Sequence, residues 1–314
     1  MLNKILKIKY PIIQGAMANI ATAEFAAAVS NCGGLGIIGT GAMNVEEARA
    51  SIQKCKKLTE KPFGVNVMMM NPYTKEIMEM IAEEKVAVVT TGAGNPGIYM
   101  DMLKASGAKV FPVVPSVALA IRMERSGADA LIVEGGEAGG HVGEQTTMAL
   151  VPQVVDAVNI PVIAAGGVAD GRGLNAALSL GAIGVQVGTC LLVADECPIH
   201  ENYKLATIKA KDTDTIVTGR SLNSPVRVMK NKMTREHLRL EAEVSDREEL
   251  EKLTLGALRK AVFEGDMQNG SVMMGQIAGM CKEQKPLQKI LDDIMEGSKK
   301  ELQNLISKHE EMSW

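Results

Sequence analysis

The sequence predicts a (β/α)8 barrel, the TIM-barrel fold, with a smaller, mainly helical region after the eighth strand. Short apolar segments alternate with amphipathic segments at nearly regular spacing over residues 1–198, and the apolar segments are hydrophobic almost throughout. A strand that is apolar on both faces belongs to a parallel sheet with helices on each side. Eight such strands favour a closed barrel, and an open, doubly wound sheet is the main alternative.

The elements of the predicted barrel follow one another in strand–helix order. The strands are predicted at 11–14, 35–38, 63–68, 86–90, 110–114, 130–133, 162–165 and 184–187. The helices between them are predicted at 22–31, 45–57, 73–83, 97–105, 117–126, 147–158 and 171–180. The N-terminal residues are expected to lead directly into the first strand.

The pattern changes after residue 198, where charged residues become dense and strand signals become scarce. We therefore expect three regions. These are the barrel at 1–198, a smaller region at 199–285 that covers the substrate and any cofactor, and a C-terminal helix at 286–314 that packs back on the barrel. Pro286 suits the start of that helix. An N–H at the first helical position has no partner within the helix, so proline loses no hydrogen bond by lacking one.

The composition argues against several classes of function. The net charge is −3 and no long basic segment occurs, which argues against nucleic acid as a partner. No apolar run is long enough to span a bilayer, and the N-terminal pattern is not that of a signal peptide. The five cysteines form no C-x-x-C pair, and their odd number favours a reduced, cytoplasmic protein. No metal-ligand spacing occurs.

Two glycine loops follow the seventh and eighth predicted strands. The first contains Gly166 and Gly167, and the second contains Gly188 and Thr189. The phosphate site of a TIM barrel is often built by these two loops, where glycine exposes backbone N–H groups to the anion. Tight turns alone would also explain the glycines, but their position after this pair of strands favours a phosphate site.

A third glycine-rich loop, at 134–143, follows the sixth predicted strand and contains His141 between glycines. Histidine is the side chain best suited to proton transfer near neutral pH. A structural loop histidine is the simpler interpretation, yet its place at the barrel rim favours contact with substrate or cofactor. The other three histidines, at 200, 237 and 309, lie in polar surroundings and are expected to be solvated. A G-x-G-x-x-G match at 34–39 is interpreted as a strand and not as a dinucleotide site.

Five segments together resemble a flavin-dependent family that contains the nitronate monooxygenases and the type II enoyl-acyl-carrier-protein reductases. They are QGAM at 14–17, GVN at 64–66, AGGH at 138–141, AGG at 165–167 and QVGT at 186–189. Segments 88–96, 112–120 and 270–279 resemble the reductase branch more closely. The resemblance spans nearly the whole chain.

This resemblance implies FMN in the barrel, reduced by NADH or NADPH, and an enoyl thioester of acyl carrier protein as the substrate. It places the cofactor phosphate at Gly166, Gly167, Gly188 and Thr189. The other cofactor contacts that it implies are Ala16, Met17, Asn66, Glu134, Gly139, Gly140 and Gln186. The active-site histidine corresponds to His141, which either protonates the substrate or polarises its carbonyl. A homodimer is implied, and a requirement for a monovalent cation is left open.

Three alternatives remain open. A nitronate monooxygenase shares the Gly-Gly-His loop but oxidises nitronates with O2 and needs no nicotinamide. A barrel similar to inosine-monophosphate dehydrogenase has comparable phosphate loops, but it needs a nucleophilic cysteine where this chain has His141. A flavin-free barrel that isomerises or binds a phosphate-bearing ligand is the third.

Two further hypotheses concern the substrate. The adaptable methionines at 68–70 and 273–274 are predicted to line a channel for the acyl chain. Arg227, Lys230 and Lys232 are predicted to lie on the surface, where they would attract an acidic carrier protein.

Overall fold

Eight parallel strands form the barrel in a computed structural model, which describes residues 1–243 and 247–312. Together with one short strand in a loop, they are β1 (Ile12–Gln14), β2 (Gly36–Gly39), β3 (Phe63–Met68), β4 (Val88–Gly92), β5 (Lys109–Val114), β6 (Leu131–Glu134), β7 (Gly140–His141), β8 (Val162–Ala165) and β9 (Val185–Val187). The barrel strands pair in the order β1-β9-β8-β6-β5-β4-β3-β2, and a parallel bridge between Ile13 and Leu35 closes the ring. The predicted fold class is confirmed.

The helices of the barrel lie between the strands, as predicted, except for α1, which precedes β1. They are α1 (Leu2–Leu6), α2 (Ala23–Asn31), α3 (Val45–Leu58), α4 (Thr74–Glu83), α5 (Met100–Ala105), α6 (Val117–Arg125), α7 (Thr147–Ala157) and α8 (Gly171–Ser179). The start of α3 shows how sequence sets these bounds: the side chain of Asn44 accepts from the N–H of Glu47, and the Glu47 carboxylate accepts from the N–H of Asn44. This capping box satisfies two N–H groups that the helix leaves unpaired.

The barrel interior is closed at one end by α1, a helix that was not predicted. Leu2 and Leu6 pack against the inward-facing side chains of the strands, among them Ile37, Val88 and Phe111. The N–H of Leu2 donates to the carbonyl of Ile183 at 3.0 Å. The expectation that the chain enters the first strand directly was wrong, because the spacing of the two leucines allows one helical turn to bury both.

The region after the barrel is mainly helical but also contains two strands. Its elements are α9 (Glu201–Lys209), β10 (Thr215–Thr218), β11 (Val226–Met229), α10 (Lys232–Ala242), α11 (Arg247–Thr254) and α12 (Ala257–Arg259), followed by a π-helical turn (Lys260–Glu264) and a 3₁₀ helix (Gln276–Met280). Strands β10, β11 and β7 form an antiparallel sheet. The sequence did not indicate this sheet, because each strand is short and mostly half-buried.

The C-terminal helix α13 (Leu287–Glu311) packs on the barrel, mainly against α8. Its first half buries Leu287, Ile290, Leu291 and Ile294. The side chain of Asn175 on α8 donates to the carbonyl of Ser298 at 2.8 Å. Along the two described ranges, no helix is both long and apolar enough to cross a membrane.

Candidate functional site

The candidate site lies at the barrel mouth, which is the open end where the strands have their carboxyl ends. The strand register puts Glu134, Ala165 and Gln186 side by side across β6, β8 and β9. On the other side of the barrel, Asn66 and Thr90 are partners in β3 and β4, and the Asn66 amide donates to the Thr90 hydroxyl at 2.9 Å. Polar side chains from several strands therefore meet at one level of the mouth.

The two glycine loops lie next to each other at this mouth. Gly166 and Gly167 both have positive φ, 85° and 77°, which L-residues rarely adopt, so the turn requires glycine. Gly188 follows strand β9, and a Cβ added there would meet only the side chain of Met17, its sulfur at 3.6 Å. Thr189 then begins a 3₁₀ turn. The structure thus brings together the residues predicted to hold a phosphate.

The loop that carries His141 runs from the barrel mouth to the second sheet. Gly140 and His141 form β7, where they pair with Arg227 and Val226 of β11. The N–H of Val142 also donates to the carbonyl of Pro225 at 3.1 Å. His141 is therefore held by backbone pairing, and its ring stays exposed at the mouth. Surrounding protein partly desolvates the ring, which lowers the pKa of His141 below its ordinary value.

Glu134 ends β6 with a half-buried side chain at the mouth. Burial raises the pKa of Glu134 to about 7, because desolvation disfavours the charged carboxylate. Near neutral pH this carboxyl group is therefore present in both protonation states. A protonated carboxyl group can donate a hydrogen bond as well as accept one.

Glu137 belongs to the site, although no sequence pattern indicated a role for it. Its carboxylate accepts from the N–H and the hydroxyl of Thr147, at 2.9 and 3.0 Å, at the start of α7. A carboxylate at a helix N-terminus satisfies an unpaired N–H and faces the positive end of the helix dipole. The Thr147 hydroxyl oxygen also lies 2.9 Å from the carbonyl oxygen of Gly166, so its one hydrogen is shared between this carbonyl and the carboxylate. Glu137 thereby ties the histidine loop to the phosphate loop.

Arg227 was predicted to be an exposed surface charge, and this exposure was predicted wrongly; its attraction of an acidic partner stays a prediction. Its guanidinium is half-buried, and Nε donates to the carbonyl of Gly136 at 3.0 Å while Nη1 donates to the Thr215 hydroxyl at 3.2 Å. Desolvation lowers the pKa of Arg227, and the nearby Glu137 opposes that shift. Arg227 therefore fastens the histidine loop to the second sheet. Lys230 and Lys232 are exposed, as predicted.

Two other sequence interpretations need correction. His237 is only 2% exposed and contacts the carboxylate of Glu241 at 3.2 Å, so it is not solvated, whereas His200 and His309 are exposed. The charged sequence of α10, which contains His237, did not indicate that the second sheet covers one face of this helix.

The second correction concerns the predicted channel for the acyl chain. Met274 is fully buried, so a channel open to solvent can contact Met273 but not Met274.

The glycine match at 34–39 is a barrel strand, as interpreted from the sequence. Gly36–Gly39 forms β2, and a Cβ on Gly36 would lie 1.8 Å from the carbonyl oxygen of Ala26. This glycine is needed because helix α2 packs directly against the strand.

The fold and the site define a class of protein: a TIM-barrel protein whose mouth combines two glycine loops with a titratable carboxyl group and an exposed histidine. A family model described as nitronate monooxygenase matches residues 1–83 and 71–297. The chain belongs to this family, whose members and structural relatives are flavin-dependent oxidoreductases, and it is therefore an enzyme of that class.

Individual relatives agree with this family. A probable nitronate monooxygenase of Staphylococcus saprophyticus is 34% identical, in an alignment that covers 87% of this chain and 90% of the relative. The structure of FabK from Thermotoga maritima is similar with a TM-score of 0.95 and 46% identity, covering 98% of both chains. A nitroalkane oxidase from Streptomyces ansochromogenes is similar with a TM-score of 0.86 and 26% identity, covering 97% of this chain and 99% of that one.

Proposed function

We propose that this protein is an FMN-dependent enoyl-acyl-carrier-protein reductase that uses NADH or NADPH, acting in the last step of the fatty acid elongation cycle. FabK is the type II reductase of this kind. The likeness to FabK carries the proposal, because it reaches 46% identity over 98% of both chains. The likeness to the nitronate monooxygenase is weaker, at 34% identity.

The residues at the mouth fit FMN. Phosphate needs several directed donors, which the backbone of Gly166 and Gly167 and the hydroxyl of Thr189 supply. The flat ring needs open space beside polar groups. A Cβ added at Gly140 would contact only the sulfur of Met273, at 3.7 Å, so the loop leaves room on that side. Glu134 offers a carboxyl group that donates or accepts near neutral pH.

FMN, when bound, would supply the hydride chemistry that connects the nicotinamide with the β-carbon of an enoyl thioester. His141 then acts on the other end of the conjugated system. Its lowered pKa keeps the imidazole neutral at neutral pH, so a ring N–H donates a hydrogen bond to the thioester oxygen. Negative charge develops on that oxygen as the hydride arrives, and a preorganised donor there lowers the barrier. The α-carbon then takes up a proton from solvent at the open mouth, which completes the reduction.

A second candidate function is that of a nitronate monooxygenase. The relative from Staphylococcus saprophyticus favours it, since that protein is named a probable nitronate monooxygenase and is 34% identical over most of both chains. In that reaction O2 is the oxidant and no nicotinamide is needed. His141 would then act as the base or hydrogen-bond donor toward the nitronate.

An anaerobic titration separates the two functions. The holoenzyme is mixed with NADH or NADPH in the absence of O2, and the flavin absorbance is followed before and after addition of crotonyl-acyl-carrier protein. The proposed function predicts rapid bleaching by one nicotinamide and return of the absorbance with the enoyl thioester. Slow bleaching, together with fast O2-dependent oxidation of a nitronate, would instead establish the monooxygenase.

The remaining predictions from the resemblance concern assembly. The homodimer stays a prediction, and the molar mass of the holoenzyme by light scattering tests it. The monovalent cation is tested by comparing turnover in potassium, sodium and tetramethylammonium salts of equal ionic strength.

A further inference from the structure

The segment 271–276, called the strap below, crosses the barrel mouth between the two functional loops. On one side it packs against Gly139, where an added Cβ would lie 2.7 Å from the backbone of Met274. The N–H of Gln276 donates to the carbonyl of Glu137 at 2.9 Å. On the other side, the N–H of Gly275 donates to the hydroxyl oxygen of Thr189 at 2.8 Å. One segment therefore contacts both the histidine loop and the phosphate loop.

The middle of the strap is anchored from behind by Tyr203. This tyrosine of α9 is fully buried and is the largest such side chain in the described part of the chain. Its hydroxyl donates to the carbonyl of Met273 at 2.7 Å. A buried hydroxyl is stabilised only when it is hydrogen-bonded, so this contact fixes the position of both partners. The N–H of Met229 in β11 holds the neighbouring carbonyl, that of Val272, at 2.8 Å.

The strap determines how the Thr189 hydroxyl is oriented. A hydroxyl group has one hydrogen to donate and two lone pairs that accept. Because the N–H of Gly275 occupies one lone pair, the hydroxyl hydrogen must point away from the strap. Gly188 and Thr189 follow β9 at the mouth, so the hydrogen is left available to an anion there.

We infer that Tyr203 is a positioning residue, which holds the strap so that the Thr189 hydroxyl faces the phosphate of FMN. The inference rests on the proposed FMN site but not on the identity of the substrate that is reduced. Tyr203 is remote from the reacting atoms and acts through Met273 and Gly275. Its hydroxyl group therefore contributes to the preference of the site for FMN over riboflavin, which lacks the phosphate.

The test compares the binding of FMN and riboflavin to Tyr203→Phe by quenching of flavin fluorescence. The matched control is Tyr10→Phe, because the Tyr10 hydroxyl also donates to a protein acceptor, the Asp292 carboxylate on α13, far from the mouth. We expect Tyr203→Phe to reduce the FMN-over-riboflavin preference roughly threefold to tenfold, as the loss of one well-placed hydrogen bond would. Tyr10→Phe should leave that preference unchanged. Equal weakening of both ligands in Tyr203→Phe would overturn the inference.

A double variant tests independently whether Tyr203 acts through Thr189. Because it compares the preference between two flavins, a loss of stability that weakens both equally does not affect the result. Thr189→Val removes the hydroxyl that the strap orients, and alone it should lower the preference for FMN about tenfold. If Tyr203 acts through Thr189, adding Tyr203→Phe to Thr189→Val changes the preference no further, since coupled residues are not additive. Additive losses would contradict the inference. Because only flavin binding is measured, the result holds even if the enzyme turns out to oxidise nitronates.

Discussion

The two sides of the barrel mouth are built in different ways. On the phosphate side, the turns after β8 and β9 belong to the barrel itself, and Gly166 and Gly167 adopt backbone angles that only glycine takes easily. On the histidine side, the loop leaves the barrel and becomes a strand of a second sheet. Arg227 then fastens that loop from outside the barrel.

The difference indicates that the two sides of the mouth have separate roles. A site formed by barrel turns is rigid and suits a cofactor that stays bound throughout turnover. A loop held by an appended region can change in sequence together with that region, without any change in the barrel. Such a loop suits a side chain that must contact different substrates. We therefore expect changes on the phosphate side to alter flavin affinity, and changes on the histidine side to alter turnover.

The largest effect is expected from His141→Ala. Loss of the hydrogen-bond donor to the thioester oxygen should lower kcat for crotonyl-acyl-carrier protein about 10²- to 10³-fold. The dissociation constant for FMN should stay within about twofold, because His141 lies outside the phosphate loops. The control is His309→Ala, whose side chain is exposed on α13. Steady-state kinetics and flavin titration check the prediction, and turnover near that of the control would remove His141 from the mechanism.

The next effect is expected on the phosphate side from Gly166→Ala. A Cβ there meets the carbonyl oxygen of Gly135 at 2.8 Å, so the loop must shift and lose its alignment of N–H donors. FMN binding should weaken about 10- to 100-fold, which corresponds to one or two charge-assisted hydrogen bonds.

Gly107→Ala is the matched control for that change, because Gly107 also has positive φ, 92°, but an added Cβ there meets nothing within 4 Å. Both variants carry the strain of a left-handed alanine, about 1–2 kcal/mol. Only Gly166→Ala should lose flavin, as measured by fluorescence titration. Equal flavin affinity in the two variants would mean that Gly166 does not bind the phosphate.

A smaller effect is expected from Arg227→Met, which keeps the apolar stem of the side chain and removes its hydrogen bonds to Gly136 and Thr215. The histidine loop should lose alignment, and kcat should fall about tenfold with FMN affinity unchanged. Arg220→Met is the control, since Arg220 pairs with Glu144 at an exposed position and such pairs contribute little. If the two variants behave alike in steady-state kinetics, Arg227 does not position the loop.

The smallest effect concerns the pH dependence of stability through Glu134. Its pKa is raised to about 7 in the folded chain, so the folded state holds a proton that the unfolded state releases above about pH 4.3. The unfolding free energy of the ligand-free protein should therefore fall between about pH 4.5 and 7, by about 1–3 kcal/mol relative to Glu134→Gln. Urea unfolding at several pH values measures the difference. A constant difference across this range would show that Glu134 keeps an ordinary pKa.

The sequence predicted the phosphate side better than the histidine side, for physical reasons. Barrel strands are apolar on both faces, and the glycine turns follow them directly, so Gly166 and Gly188 were recognisable from local pattern. The support of His141 comes from Arg227 and the strap, which are more than 80 residues away along the chain. No local pattern reports such contacts, and the four-residue strands β10 and β11 are too short to stand out.

Single-turnover reoxidation of the flavin tests the separate roles of the two sides most directly. Gly188→Ala, in which the added Cβ meets only the side chain of Met17, is saturated with added FMN, reduced anaerobically with NADH or NADPH, and mixed with crotonyl-acyl-carrier protein while the flavin absorbance is recorded. Separate roles predict a rate constant within about threefold of wild type, because the added Cβ does not touch the histidine loop, and a much slower return in His141→Ala measured in parallel. Reoxidation that is equally slow in both variants would contradict separate roles for the two sides of the mouth.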